Sequence, residues 1–321
     1  MERVLPENID YSRVLPLSVP AIARRRRFYP QNGNQFSNLG SQEIRIQIGS
    51  PNSLLDPSMS YLECELDNTG ANNCGLDLGG MATLFRSMRL EQGGRQLSFC
   101  NEFNRLHASV LTLGQTTRNG LKSDSITGGG RSNNANGVLD VTPALAGQAA
   151  DLYCNQRHNG TGFLLAGQAL RLTMPIPSGL FSQDKLIPLP LVNPNEPLTL
   201  ILTMDTPANV ACWTAAPGFG DLTIQNICVN GQLIEVGRDV IDQFRRIQDD
   251  FGGQLAVSGQ DWEHTAAIVP AATQGEHPVR MPIRKRSMKS LFWTCSSSNY
   301  AGVVGAGAND AYSLSYCGSG N

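Results

Sequence analysis

The sequence is short of charge, because only 16% of its 321 residues are Asp, Glu, Lys or Arg, whereas about a quarter is usual in globular proteins. The net charge of −2 gives no overall reason to expect a nucleic-acid partner. The sequence has no apolar run long enough to span a bilayer. It also has no continuous apolar segment near its start, so we expect no signal peptide and synthesis in a reducing compartment.

Motifs of catalysis and metal binding are missing as well. The eight cysteines include no CxxC pair, so their spacing predicts no zinc site, and most are predicted to be reduced and buried. There is no GxSxG, HExxH or GxxxxGK[ST] motif. His264 lies beside Glu263 and near Asp261, but adjacent residues in a strand point to opposite faces. The sequence therefore predicts no metal site, no cofactor and no enzymatic activity.

What the sequence does contain is a series of short strands joined by loops rich in Gly, Asn, Ser and Thr. Ile44, Ile46 and Ile48 alternate with polar residues, which is the period-2 pattern of a strand with one buried face. Similar patterns predict strands at 61–66, 87–91, 95–97, 170–175, 186–191, 198–204, 222–229 and 232–236. Gly93-Gly94 and Asn230-Gly231 are predicted to be hairpin turns. About eight strands between residues 42 and 236 are enough for one sandwich of two sheets.

The segments outside these strands complete the predicted domain organisation. Residues 1–41 are predicted to be a basic N-terminal arm that contains the run Arg24, Arg25, Arg26 and Arg27. A helix is predicted over 101–114, capped by Asn101, and a connector helix over 237–250. Residues 251–321 are predicted to be a second domain, apparently incomplete, with strands at 266–269 and 287–295.

The order of these motifs resembles that of one family. The motifs are the arginine run, Phe28-Tyr29-Pro30, the isoleucine strand, Leu55-Asp56-Pro57, a second strand, an apolar segment with arginines, a helix, Pro177-Ser178-Gly179-Leu180-Phe181, an Ile-Pro-Leu strand, a Leu-Thr-Leu strand, and Ser287-Met288-Lys289-Ser290-Leu291-Phe292. Over most of residues 24–295 this order resembles the double jelly-roll major capsid proteins of double-stranded DNA viruses, particularly virophages, Polinton-like viruses and adintoviruses. Each motif alone is weak, and the specificity lies in their joint order.

The resemblance implies an all-β fold with two jelly-roll β-sandwiches side by side and short connecting helices. The first roll would be complete at residues 42–236, and a second roll would begin within 251–321. The expected function is that of a major capsid protein, which forms homotrimeric, pseudo-hexameric capsomers of an icosahedral virion shell. Expected partners are neighbouring capsomers, penton proteins and minor capsid proteins. Synthesis is expected in the host cytoplasm or nucleus.

The resemblance also implies a role for the arginine run. In the family the arm lies on the inner side of the shell, where Arg24, Arg25, Arg26 and Arg27 would contact packaged DNA without sequence preference, an anionic inner membrane or minor proteins. Long loops at 116–137 and 156–163 would form an outer tower. Two alternatives stay open: a carbohydrate-binding, lectin-like β-sandwich, and a single jelly-roll capsid protein with a projecting domain.

Overall fold

The structure of the chain is a computed structural model. It describes residues 21–37, 42–70, 74–76, 80–107, 167–183, 185–192, 196–205, 211–214, 222–250, 252, 259–265, 278–281, 283 and 287–293.

Strands dominate the described residues. The strands are β1 (Ile22–Phe28), β2 (Gln35–Ser37), β3 (Glu43–Ile48), β4 (Ser53–Asn68), β5 (Cys74–Leu76), β6 (Phe85–Gln92), β7 (Arg95–Asn101), β8 (Ala169–Pro175), β9 (Ile187–Pro188), β10 (Leu198–Met204), β11 (Ala211–Thr214) and β12 (Leu222–Glu235). The helices are α1 (Phe103–Arg105) and α2 (Arg238–Asp250), with 3₁₀ turns at Gly80–Leu84 and Leu189–Leu191. Neither described α-helix is long and apolar enough to cross a bilayer.

Eight of the strands form two four-stranded antiparallel layers. The first sheet has the order β1-β12-β4-β8, with β2 and β9 paired to it at the side, and the second sheet has the order β3-β10-β6-β7. In chain order the eight strands are β1, β3, β4, β6, β7, β8, β10 and β12. They pair from the outside of this series inward: β1 with β12, β3 with β10, β4 with β8, and β6 with β7. This nested order of two Greek keys is a jelly roll. The predicted all-β jelly-roll sandwich is therefore confirmed for the first roll.

The core lies between the two sheets, as the alternating patterns predict. Ile44, Ile46 and Ile48 of β3 have no exposed surface, and Leu200 of β10 lies opposite Ile46 with no exposed surface either. Leu62 of β4 is likewise fully buried in the first sheet. The Gly93-Gly94 turn between β6 and β7 also forms as predicted, and both glycines have positive φ.

Strand β1 corrects the predicted N-terminal arm. Residues 22–28 pair along their whole length with β12, and β2 pairs with the same strand. The sandwich therefore includes residues 22–28 and 35–37, upstream of the predicted boundary at residue 42. Sequence patterning fails here because an edge strand with exposed faces carries no alternating apolar residues: six of the seven residues of β1 are exposed, and only Phe28 is buried.

Strand β12 corrects the predicted turn at Asn230-Gly231. The two residues lie inside one continuous strand that pairs with β1 on one side and β4 on the other. Gly231 is required there for a different reason, because a Cβ atom would lie 2.8 Å from the Phe28 ring and 3.0 Å from Leu55. Pairing with two neighbouring strands overrides the local turn preference of Asn-Gly.

The register of β4 is interrupted around Pro57. Asp56 lies opposite Gln232, while Tyr61 lies opposite Asn230, so β4 bulges over residues 57–60 and continues. A bulge is one of the few places where a sheet tolerates proline. β4 is thus one long strand that begins at Ser53, upstream of the predicted strand 61–66.

Two further predictions need correction. Helix α1 begins at Phe103 with Glu102 at its N-cap, in the left-handed region at φ 52°. Asn101 is therefore not the cap. The predicted helix beyond His107 lies outside the described residues.

Residues 287–293 of the predicted strand 287–295 form no regular secondary structure, and Trp293 is 81% exposed. The predicted strand 266–269 lies outside the described residues. Helix α2 occupies the segment predicted to be the connector helix.

A segment downstream of α2 packs against the first roll. The Ser98 hydroxyl of β7 donates a hydrogen bond to an Asp261 carboxylate oxygen at 2.8 Å. Trp262 packs against the core, and its ring lies 6.2 Å from that of Phe292. Residues 259–261 also cross close to Gly179. Residues 259–262 are therefore joined to the sandwich at defined points.

Candidate functional site

The predicted site residues, Arg24–Arg27, lie on β1 at the edge of the first sheet. Arg25 lies opposite Gln232 and Arg27 opposite Asn230, so these two arginines point to the same face of the sheet. The Nε atom of Arg25 donates a hydrogen bond to Gln232 Oε1 at 3.3 Å, and Arg27 Nε donates to Asn230 Oδ1 at 3.3 Å. The structure thus brings the arginines onto a sheet and not onto a free segment.

The other two arginines point to the opposite face. Arg24 forms an ion pair with Glu235 at 3.6 Å, and the Arg26 guanidinium lies 5.3 Å from the centroid of the Phe28 ring, a cation–π distance. Of these four arginines, only Arg24 and Arg27 contact a carboxylate among the described residues. Within the described residues, Arg25 and Arg26 therefore carry the positive charge of this strand that no carboxylate offsets.

Glu63 is the centre of the polar network on this face. Its residue surface is only 6% exposed, although it lies on the outer side of β4. Its carboxylate pairs with Arg171 of β8, accepts a hydrogen bond from the Asn230 side chain and lies 3.8 Å from the Arg27 guanidinium. One carboxylate thus links all four strands of the first sheet. A hydrogen bond to Tyr29 and the charge of Glu63 raise the pKa of Arg27 above its ordinary value.

Sequence reasoning missed Glu63 and Arg171. The alternation with Leu62 and Cys64 does place Glu63 on the outer face of its strand, which is a signal that the sequence carries. Two of its partners, Arg171 and Asn230, come from strands more than one hundred positions away, and the register of β12 on β4 lies between two bulges. No local pattern contains that information.

The outer face of the second sheet carries a comparable network. Arg45 pairs with Glu43 at 2.8 Å, Arg89 with Glu91 at 2.8 Å, and Arg89 with Glu43 at 3.8 Å. Ile201 lies opposite both arginines on this face and is only 4% exposed. The arginine stems therefore cover an apolar side chain while their heads pair with carboxylates. Both outer faces of the sandwich are polar and largely charge-paired.

The described cysteines and histidines show no reactive arrangement. Cys64, Cys100 and Cys228 are buried and free, as predicted. Burial raises the pKa of the Cys100 thiol to about 12 and that of Cys228 to about 11, so both thiols stay protonated at neutral pH. Among the described residues no group of three His, Cys, Asp or Glu side chains is placed to hold a metal ion. His264 is exposed.

His107 behaves differently from His264. It follows α1, and its ring meets the Phe103 ring edge-on at 4.8 Å. Burial lowers the pKa of His107 to about 4, and its Nε2 atom has no hydrogen-bond partner among the described residues. The imidazole is therefore neutral at pH 7 and packs edge-on against the buried Phe103 ring.

The two ends of the sandwich differ in the connections they carry. At one end of the sandwich, the strands are connected by residues 29–42, 69–84, 102–168 and 205–221. At the other end the connections are 49–52, 93–94 and 176–197, and here the chain enters β1 and leaves β12 for α2. The two ends are therefore unlike: one carries the longest connection, residues 102–168, and the other carries the chain's entry into β1 and its exit from β12.

No family model matches the chain, and no curated protein matches it. Among solved structures it is similar to a quasi-atomic model of the PBCV-1 virus capsid, with 13% identity, a TM-score of 0.40, and 73% of this chain and 47% of that chain covered. It is similar to the Faustovirus major capsid protein, with 11% identity, a TM-score of 0.39, and coverage of 77% and 59%. It is also similar to the mavirus major capsid protein, with 13% identity, a TM-score of 0.36, and coverage of 74% and 52%. The chain spans about half the length of the chains it matches, and the jelly-roll assignment rests on its own strand order.

Proposed function

We propose that this chain is a structural shell protein: a major capsid protein that assembles as homotrimeric capsomers of an icosahedral virion. The observation that carries the proposal is the complete, nested eight-stranded jelly roll with two unlike ends. A shell subunit needs stiff walls, and two sheets packed face to face around one apolar core supply them. It also needs a distinct inside and outside, which unlike ends provide.

The proposal gives the two ends different tasks. The end with the longest connection, residues 102–168, faces outward, and the end where the chain enters and leaves faces inward. No catalytic step is assigned to any residue. Residues 251–321 are assigned to the start of a second roll, and neighbouring capsomers, penton proteins and minor capsid proteins are the partners. The virion is the location, after synthesis in the host cytoplasm or nucleus.

Size-exclusion chromatography with light scattering tests the assembly. We expect a stable homotrimer, with hexagonal outlines in negative-stain images. A monomer that binds immobilised glycans would contradict the proposal and support the lectin-like alternative. A monomer that binds no glycan would contradict the assembly directly.

The same proposal gives the arginine strand contact with an anionic interior, either packaged DNA or an inner membrane. Of the four arginines of β1, only Arg25 and Arg26 lack a carboxylate among their contacts in the described residues, so β1 of each copy offers about two charges to phosphates. Since the salt slope is about −0.9 for each phosphate neutralised, duplex DNA binding should show a slope near −2 per site. The Arg25→Gln/Arg26→Gln variant should lose most of this binding, and the matched Arg245→Gln/Arg246→Gln variant on α2 should keep it. Equal loss in both variants would contradict a contact through β1.

A further inference from the structure

Strand β1 is held to its sheet by few buried contacts. Its residues 22–27 are all exposed, Ile22 to 56%, and only Phe28 at the end of the strand is buried. The strand pairs with β12 on one side, and no strand of the described residues pairs with its other side. Most of what attaches β1 is therefore the backbone ladder, two ion pairs and one aromatic side chain.

The place where β1 lies is nevertheless specific for its sequence. Gly231 leaves room for the Phe28 ring, which a Cβ atom at that position would meet at 2.8 Å. Glu235 lies within 3.6 Å of Arg24, and Glu63 within 3.8 Å of Arg27. This seat, formed by β12 and β4, matches residues 22–28 both in shape and in charge.

We propose that assembled copies of this chain exchange β1, so that residues 22–28 of one copy lie in the β12 seat of a neighbouring copy. The inference rests on the proposed function in one respect: copies must meet. Exchange of an identical element preserves every contact between β1 and its seat, so it costs little once two copies are adjacent. A seat that recognises one sequence selects a second copy of this chain as the partner.

The segment after β1 has the length that exchange requires. Residues 29–34 connect Phe28 to β2, and six extended residues span roughly 20 Å. This segment is tied to β3 by exposed hydrogen bonds: Gln31 N donates to Arg45 O at 2.9 Å, and the Asn32 amide bonds the backbone of Glu43 and Arg45. These bonds open when β1 moves to a neighbour. The two seats must then lie within about 20 Å of each other.

A disulfide between paired strands tests the exchange in the full chain. Arg25 and Gln232 lie directly opposite each other, at a Cβ separation of roughly 4.5–5.5 Å for such pairs, close to what a disulfide accepts. One chain carries Arg25→Cys, a second chain with a different tag carries Gln232→Cys, and the two are co-expressed and oxidised with oxidised glutathione. Exchange predicts a disulfide that joins the two differently tagged chains within the assembled particle.

Two controls set the background. Co-expression of Arg25→Cys with Gln47→Cys, which places the second thiol on the outer face of the other sheet, should give at least about tenfold less of the linked product. Unsubstituted chains measure any linkage through the native cysteines. The chain that carries both Arg25→Cys and Gln232→Cys reports the unexchanged state as an internal disulfide.

The outcomes separate the two proposals. Trimers without a disulfide between chains, together with an internal disulfide in the double variant, would overturn exchange and leave the shell function standing. A chain that stays monomeric would overturn both. A disulfide between chains at the level of the Gln47→Cys control would also overturn exchange.

Discussion

Truncation of Leu200 tests the sandwich at its centre. Leu200 has no exposed surface, and it lies between Ile46 of β3 and Leu90 of β6. Leu200→Ala removes three carbon atoms, worth about 0.8 kcal/mol each, or about 2.4 kcal/mol in total. The cavity that remains adds to this loss, so we expect the free energy of unfolding to fall by roughly 3–4 kcal/mol.

The same substitution at an exposed leucine is the matched control. Leu97 on β7 is 44% exposed, so Leu97→Ala should change the free energy of unfolding by less than about 0.5 kcal/mol. Urea denaturation followed by circular dichroism measures both variants, and equal slopes show that the unfolded states are comparable. Leu200→Asp should prevent soluble folding, because a buried carboxylate there has no partner. If both alanine variants lose the same stability, Leu200 does not lie between the sheets.

Three further predictions concern particular side chains. Glu63→Gln should lower the free energy of unfolding by about 1–3 kcal/mol, because charge-assisted hydrogen bonds are lost, whereas Asp242→Asn on exposed α2 should cost less than about 0.5 kcal/mol. Since burial lowers the pKa of His107 to about 4 and the unfolded value is about 6.5, the unfolded state binds more protons between these values, and stability should fall as pH drops from 6.5 to 4. His107→Phe should remove this pH dependence and His264→Phe should keep it. Gly259→Ala should speed proteolysis of the downstream segment without changing the sandwich melting, because its Cβ would overlap a carbonyl oxygen of the neighbouring turn.

The fold is predictable where one face of a strand is buried and the other is not. Strands β3 and β10 follow this rule, since Ile44 and Leu202 face the core while Arg45 and Thr203 alternate with them. The rule fails for β1, whose exposed residues show no apolar alternation. It also fails at Gly231, where a local Asn-Gly signal meets two flanking strands that keep the chain extended. Apolar periodicity indicates which side chains are buried. It gives no information about an exposed strand such as β1, or where pairing with neighbouring strands sets the backbone conformation, as at Gly231.

The candidate site is less predictable than the fold for a related reason. The sequence identifies Arg24–Arg27 as unusual, but not the sheet on which they lie. The network around Glu63 depends on register across four strands, and register is set by bulges that use residues such as Pro57 and Gly231. A sequence pattern shows which residues share a face of one strand. It does not show which residues of distant strands lie opposite them.

The position of β1 at the edge of a sheet explains the arginine run. An edge strand presents a row of unpaired backbone N–H and C=O groups, to which another extended chain can add. Long charged side chains on both faces of β1 oppose such addition, while Phe28 and the pairs of Arg24 and Arg27 still seat the strand on its own sheet. Alternating apolar residues would attach β1 more firmly, but they would leave a flat apolar edge open to any strand. Four consecutive arginines therefore suit an edge that accepts β12 and excludes other partners.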